Sequence, residues 1–115
     1  MTDCIFCSIV AGGIPANIVY RDEHMTVFHD IQPRARVHLL AIPNRHIASL
    51  AELTAQDTEL MGHMVTQLPK IAHQQGLSDG FRTVVNTGAG GGQEVAHIHF
   101  HILGDIRDPE WRGFS

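Results

Sequence analysis

The stretch "HIHFHIL", residues His97 to Leu103, decides the reading of this chain. Side chains alternate across a strand, so a strand here puts His97, His99 and His101 on one face and Ile98, Phe100 and Ile102 on the other. One face belongs to a core and the other to chemistry or water. The plain alternative is an edge strand whose histidines only meet solvent. Three imidazoles in succession argue against it, because lysine, threonine and glutamate are the usual means of solvating a face, whereas imidazole offers a near-neutral pKa and metal affinity.

Working outward, "GAGGGQE" (88–94) immediately precedes that strand. Its glycines leave backbone N–H groups uncovered, which predicts an anion-binding nest, with Gln93 as an added amide donor. "FRTVVNTG" (81–88) reads as a strand. Leu60, Met61, Met64, Val65, Leu68, Ile71 and Ala72 recur at helical spacing after a start at Thr54 and Asp57, and Pro69 predicts an interruption of that helix. "VHLLAIP" (37–43) reads as a strand with His38 on the face of Leu40 and Ile42, and "NIVYRDEHMTVFHD" (17–30) as a hairpin turning at Asp22 and Glu23. At the N-terminus Ile5, Phe6, Ile9 and Val10 form a helical stripe over residues 3–10, capped by Asp3 and stopped by Gly12 and Gly13. The order predicts an α+β domain: a short helix, a long helix, and five mostly antiparallel strands, with the helices on one face of the sheet.

With 115 residues, 43% of them hydrophobic and 17% charged, the chain suits one globular domain with a core of its own. A net charge of -4 lacks the basic field that a nucleic-acid backbone demands. Arg34, Arg36 and Arg45 accordingly read as a solvated patch, and His24, His63 and His73 as surface or boundary residues. The start "MTDCIFCSIVAGG" carries neither the basic flank of a signal peptide nor an apolar run able to cross a bilayer, so a cytoplasmic protein without membrane contact is expected. Cys4 and Cys7 are too close in sequence for a disulfide to close a useful loop, which favours thiolate chemistry, and no strand precedes them as a thioredoxin-type site would need.

The histidine strand leaves two chemistries open. An His-x-His pair with a third histidine could hold a catalytic zinc. Alternatively, a neutral imidazole attacks an electrophile and forms a covalent intermediate while a neighbouring imidazole handles the proton. The glycine turn makes phosphorus the best candidate electrophile.

"HIHFHIL" also matches the His-φ-His-φ-His-φ-φ signature of the histidine-triad (HIT) family. "CIFCSIVAGGIPA" (4–16), "FHDIQP" (28–33), "VHLLAIPNRHI" (37–47) and "VVNTGAGGGQEVAHIHFHILG" (84–104) resemble its Hint branch in the same order over nearly the whole chain. The resemblance implies hydrolysis of purine nucleoside 5'-phosphoramidates and aminoacyl-adenylates through a nucleotidyl-histidine, releasing AMP or GMP. It makes His99 the nucleophile, His101 a phosphate contact and His38 the fourth histidine, whose plain alternative is a buried ring with one backbone partner. It places Asp30 on the ribose and Ile31 against the base, with Asn86, Gly92 and Gln93 near ribose and phosphate. Asp30 could equally cap its own turn. Glu94 stands where several relatives carry serine, and its charge bears on which leaving group is preferred. The resemblance further implies a homodimer with a continuous sheet, with Trp111 in the divergent "DPEWRGFS" near the partner's site. It also implies a structural zinc on Cys4, Cys7, His46 and His97, against the alternative of two reduced thiols packed as small hydrophobes. A non-catalytic purine nucleotide-binding module and a zinc-dependent phosphoester hydrolase are the alternatives to the phosphoramidase.

Overall fold

A computed structural model describes residues 4–105. In chain order it contains helix α1 (Ile5–Ala11), strands β1 (Ile18–Arg21), β2 (Met25–His29) and β3 (Val37–Pro43), helix α2 (Thr58–Gln74), and strands β4 (Arg82–Val84) and β5 (Phe100–Gly104). The five strands form one sheet in the order β1-β2-β3-β5-β4, and every neighbouring pair is antiparallel. The histidine strand therefore lies inside the sheet, between β3 and β4, and the edge-strand alternative fails. No helix among the described residues is long and apolar enough to cross a membrane.

The helices do not share a face as expected. Met25, Val27, Leu39, Ala41, Ile98, Phe100 and Ile102 pack with Met64, Leu68 and Ile71 of α2. Their alternates Phe28, Leu40 and Ile42 pack with Phe6 and Ile9 of α1. Since alternate residues of a strand point oppositely, α1 and α2 cover opposite faces. The physical reason lies in β2 and β3, which are buried on both sides like a central strand rather than alternating. The three histidines thus share the side covered by the short helix.

Several boundaries also move. Helix α1 is capped by Cys4, whose sulfur accepts the Cys7 N–H at 3.3 Å; the expected cap Asp3 lies outside the described residues, as does Trp111. Ile5, expected on its buried stripe, is 46% exposed. Thr54 and Asp57 form the expected capping box, but on a 3-10 turn, Ala55–Asp57, that leads into α2. Pro69 does not interrupt α2, because it sits on the exposed side, where a carbonyl left without its donor can meet water. Regular pairing in β5 begins only at Phe100: the Ile98 N–H donates to Ile47 O at 2.7 Å, so His97 to His99 are anchored by a loop and not by the ladder. Strand β4 shortens to three residues for a similar reason, as Asn86 already belongs to the glycine turn.

Candidate active site

Four imidazoles meet beneath α1, each largely excluded from water: His97 is 0% exposed, His38 2%, His99 6% and His101 7%. Strand pairing sets two of them diagonally across neighbouring strands, since His38 in β3 lies two positions from Leu40, the residue paired with His101. The rings of His99 and His101 stand 5.0 Å apart, and Phe6 of α1 packs edge-on against His99 at 5.2 Å.

Hydrogen bonds fix the tautomer of each ring, because a carbonyl can only accept and a backbone N–H can only donate. His99 Nδ1 lies 2.8 Å from the carbonyl of His97, so Nδ1 carries the proton and Nε2 keeps its lone pair. His38 Nδ1 accepts the Arg34 N–H at 3.0 Å, so its proton sits on Nε2. That Nε2 donates to His101 Nδ1 at 2.9 Å, which in turn leaves the His101 proton on Nε2, where it can be offered to an oxyanion. His38 is therefore a buried ring with a backbone partner at Nδ1 and His101 as its partner at Nε2.

Electrostatics keeps the rings neutral. Burial lowers the pKa of His99, opposed by its bond to the His97 carbonyl and by the charges of Asp30 and Glu94. Burial also lowers His101, down to about 3, with His99, His38 and Arg34 acting in the same sense. His38 falls below its ordinary value through burial as well, against the pull of Asp30. At neutral pH the site holds an unprotonated nucleophile candidate beside a neutral N–H donor.

Around the rings, Asp30 serves its own turn and the site together. Its Oδ1 accepts the Gln32 N–H at 2.9 Å, and its Oδ2 lies 3.4 Å from His38 Nε2. Ile31 follows it, 91% exposed and apolar. The glycine turn differs from the open nest expected. The N–H groups of Gly88, Gly91, Gly92 and Gln93 are taken by acceptors within the turn. The Gln93 amide is engaged too, donating to Ala48 O at 2.7 Å and Val95 O at 2.8 Å, while Asn86 Nδ2 donates to Gly91 O at 2.8 Å. Asn86 and Gln93 hold the turn in shape beside the histidines, and Gly92, with φ of +81°, supplies a conformation that other residues adopt at a cost.

Two groups of side chains could hold a metal by proximity: Cys4, Cys7, His46 and His97, and separately Asp30, His38 and His101, with the ligand atoms of each group within 4.8 Å of one another. Ring chemistry separates them. His97 Nε2 donates to Pro43 O at 2.9 Å, so Nδ1 presents a lone pair to Cys4 Sγ at 3.2 Å and Cys7 Sγ at 3.5 Å, and His46 Nδ1 approaches Cys7 Sγ at 3.3 Å. A ligand ring whose other nitrogen donates to a carbonyl is the ordinary arrangement around a metal, and the four residues fit one. In the second group His38 already accepts at Nδ1, so a metal on Nε2 would require an imidazolate. The catalytic-zinc expectation, which needed His-x-His ligation, finds no support in that arrangement, since only His97 of the strand enters the fitting cluster.

Sequence reasoning missed the partners that set these tautomers. The carbonyls of His97 and Pro43 and the N–H of Arg34 are backbone groups without a sequence signature. Phe6 was legible as core and not as the neighbour of His99. His63, expected to be peripheral, donates to Asp22 at 2.7 Å, a carboxylate that also accepts from Tyr20 at 2.7 Å. Burial works to raise the Asp22 pKa, but bonds from Tyr20, the His24 N–H, His63 and the Met25 N–H together hold it well below the usual carboxylate range. This cluster ties the first hairpin to α2 and lies apart from the triad. The expected arginine patch is partly paired: Arg36 meets Asp105 at 2.6 Å, and Arg45 meets Asp57.

Comparison with known proteins agrees with this geometry. A family model described as scavenger mRNA decapping enzyme C-term binding matches residues 3–113. Protein HitA of Neisseria gonorrhoeae is 52% identical over 104 residues, covering 90% of this chain and 97% of its own. The purine nucleoside phosphoramidase of Escherichia coli K12 is 45% identical over 103 residues, covering 89% of this chain and 87% of its own. Among solved structures, a HIT family hydrolase from Legionella pneumophila superposes with a TM-score of 0.88 at 43% identity, over 94% of this chain and 99% of that one. A histidine triad protein from Clostridium difficile superposes with a TM-score of 0.89 at 37% identity, over 100% of this chain and 98% of that one. On this match of sequence, fold and histidine arrangement, the chain belongs to the histidine-triad (HIT) family and is a hydrolase of the HIT type.

Proposed function

We propose that the chain hydrolyses purine nucleoside 5'-phosphoramidates and aminoacyl-adenylates through a nucleotidyl intermediate on His99. The observation that carries this reading is the bond from His99 Nδ1–H to the His97 carbonyl, which leaves Nε2 as a lone pair in a buried, neutral ring. That lone pair attacks phosphorus, the bond from phosphorus to the leaving nitrogen breaks, and the departing amine takes up a proton. His101, with its proton on Nε2, donates to a non-bridging oxygen as negative charge gathers there. Water then attacks phosphorus, the bond to His99 breaks, and the nucleoside monophosphate leaves. The relative named purine nucleoside phosphoramidase supports the substrate class.

In this reading Asp30 accepts from the ribose hydroxyls, and Ile31 offers an apolar surface to the purine. Asn86, Gly92 and Gln93 shape the turn against ribose and phosphate. Cys4, Cys7, His46 and His97 would hold a zinc ion whose role, with four protein donors, would be structural. Cys4 and Cys7 flank the first turn of α1, so this centre ties the helix to the residue whose carbonyl orients His99. A second copy pairing along β4, an exposed sheet edge, would complete a continuous sheet. A cytoplasmic location, without nucleic-acid or membrane contact, accords with the sequence.

Turnover of a fluorogenic adenosine phosphoramidate by wild type and His99→Ala tests the reading. The variant is expected to lose activity about a thousandfold or more while still binding AMP. Undiminished turnover removes His99 from its role, and AMP binding by a wild type without hydrolysis favours the nucleotide-binding module instead.

A further inference from the structure

We propose that Cys4 and Cys7 are a redox pair: a peroxide closes them into a reversible disulfide, and closure loosens α1 over the catalytic histidines and so slows hydrolysis. The effect on hydrolysis rests on the hydrolase reading above; the redox pair itself does not. The chain's two cysteines stand at the cap and in the first turn of α1, where the Cys7 N–H reaches Cys4 Sγ at 3.3 Å. Their sulfurs lie within 4.8 Å of each other, a short approach from the S–S bond of about 2.05 Å. Both side chains are half-buried, and Cys7 meets His46, an exposed residue, at 3.3 Å. A loop this short constrains the unfolded chain little, so the bond serves as a switch and not as a staple.

The same sulfurs complete a buried ring. His97 is 0% exposed and donates through Nε2 to Pro43 O at 2.9 Å, so its Nδ1 can only accept, and it meets Cys4 Sγ at 3.2 Å and Cys7 Sγ at 3.5 Å. A reduced thiol donates to that nitrogen. A disulfide carries no hydrogen, which leaves a buried acceptor without its donor. Changing tautomer is no remedy, because Nε2 would then set its lone pair against a carbonyl that only accepts. The loss falls where α1 meets the site: Phe6, between the two cysteines, packs edge-on against His97 at 5.9 Å and His99 at 5.2 Å, and the His97 carbonyl orients His99 at 2.8 Å. Removing a metal from this cluster differs, since both thiols survive it, whereas the disulfide takes away two of the four donors together with both hydrogens.

Cys7, beside the exposed His46, reacts first. Its sulfur attacks one oxygen of hydrogen peroxide, the O–O bond breaks, and a sulfenic acid forms as water leaves. The Cys4 sulfur then attacks the Cys7 sulfur, the S–O bond breaks, and a second water leaves. Two thiols give up two electrons and two hydrogens, and one peroxide becomes two waters. A dithiol reverses the bond by exchange.

The test treats the whole chain with hydrogen peroxide and then with dithiothreitol, following the cysteine peptides by mass, amide hydrogen exchange in α1, and kcat/KM for an adenosine phosphoramidate. Peroxide is expected to link Cys4 to Cys7 within one chain, to speed exchange in α1 about tenfold relative to α2, and to lower kcat/KM about tenfold. Dithiothreitol should restore all three, which it cannot do for an oxidised methionine. In the double variant Cys4→Ser, Cys7→Ser the reversible change in exchange should vanish; should that variant fail to fold, the wild-type cycle decides alone. Thiols that stay free, a bond between chains, a disulfide that leaves α1 exchange unchanged, or an active enzyme whose turnover ignores the bond overturns the proposal. A disulfide that speeds α1 exchange in a chain without hydrolytic activity overturns the hydrolase reading and leaves the redox pair standing.

Discussion

Lowering the pH from 7 to 5 should destabilise the protein through His101 by an amount that can be worked out. An unfolded histidine titrates near a pKa of about 6.5. The folded ring is held down to about 3, chiefly by burial, so it stays neutral throughout that interval. The unfolded chain then binds a proton that the folded chain refuses, and stability falls as pH falls. The contribution is fully present above about 6.5 and is lost progressively toward about 3. Integrating between pH 7 and pH 5, at about 1.36 kcal/mol per unit, gives about 1.9 kcal/mol for this one ring. Any folded value below about 4 returns the same figure within about a tenth, so the result depends on the direction of the shift and little on its size. The assay is urea denaturation at both pH values and one protein concentration, for wild type and His101→Gln. The side-chain carbonyl that this substitution introduces can still accept the His38 N–H, and the other histidines titrate alike in both proteins. Wild type should lose about 2 kcal/mol more than the variant between the two pH values. Equal losses would mean that His101 takes up its proton when folded, which would refute the neutral relay from Arg34 through His38.

Other perturbations probe other parts. Because the His99 pKa is lowered, the acid limb of kcat/KM should fall below the ordinary histidine value of about 6.5; a limb at or above it would show a solvated nucleophile. If zinc is held by Cys4, Cys7, His46 and His97, chelation should release it, as counted by mass spectrometry, and lower Tm while hydrolysis persists. Loss of turnover with the fold intact would instead point to a metal-held hydroxide. A Cβ at Gly104 would sit 2.2 Å from Leu77 Cδ2 and 2.9 Å from its Cγ, so Gly104→Ala should cost about 1–3 kcal/mol in denaturation, and an unchanged midpoint would contradict that packing.

Much of this arrangement was legible because it follows from period. The two faces of residues 97–103 and the spacing of α2 are local properties, and both stand in the structure except at Val65, which the stripe included and which is 48% exposed. Sheet order is not local, so the placement of β5 between β3 and β4 was not available from the chain, although the burial of His38, His99 and His101 depends on it. The opposite placement of α1 went unread because the continuous apolar run of β3 does not reveal that both of its faces are covered. The glycine turn was recognised by composition but misjudged in detail. Its amides are engaged by Gln93 and by neighbouring carbonyls, and such pairings depend on the bend itself. Tautomers were the least legible feature. They are imposed by the carbonyls of His97 and Pro43 and the N–H of Arg34, which any residue at those positions could supply, proline excepted at the last.

The central claim is that His99 Nε2 becomes bonded to phosphorus. Rapid-quench intact-mass analysis of the enzyme mixed with an adenosine phosphoramidate tests it most directly, with proteolytic mapping of any adduct. The account predicts one added adenylyl group per chain, located on His99 and absent from His99→Ala. An adduct on another residue, or turnover without any adduct under conditions that trap the intermediate in a related hydrolase, would contradict it.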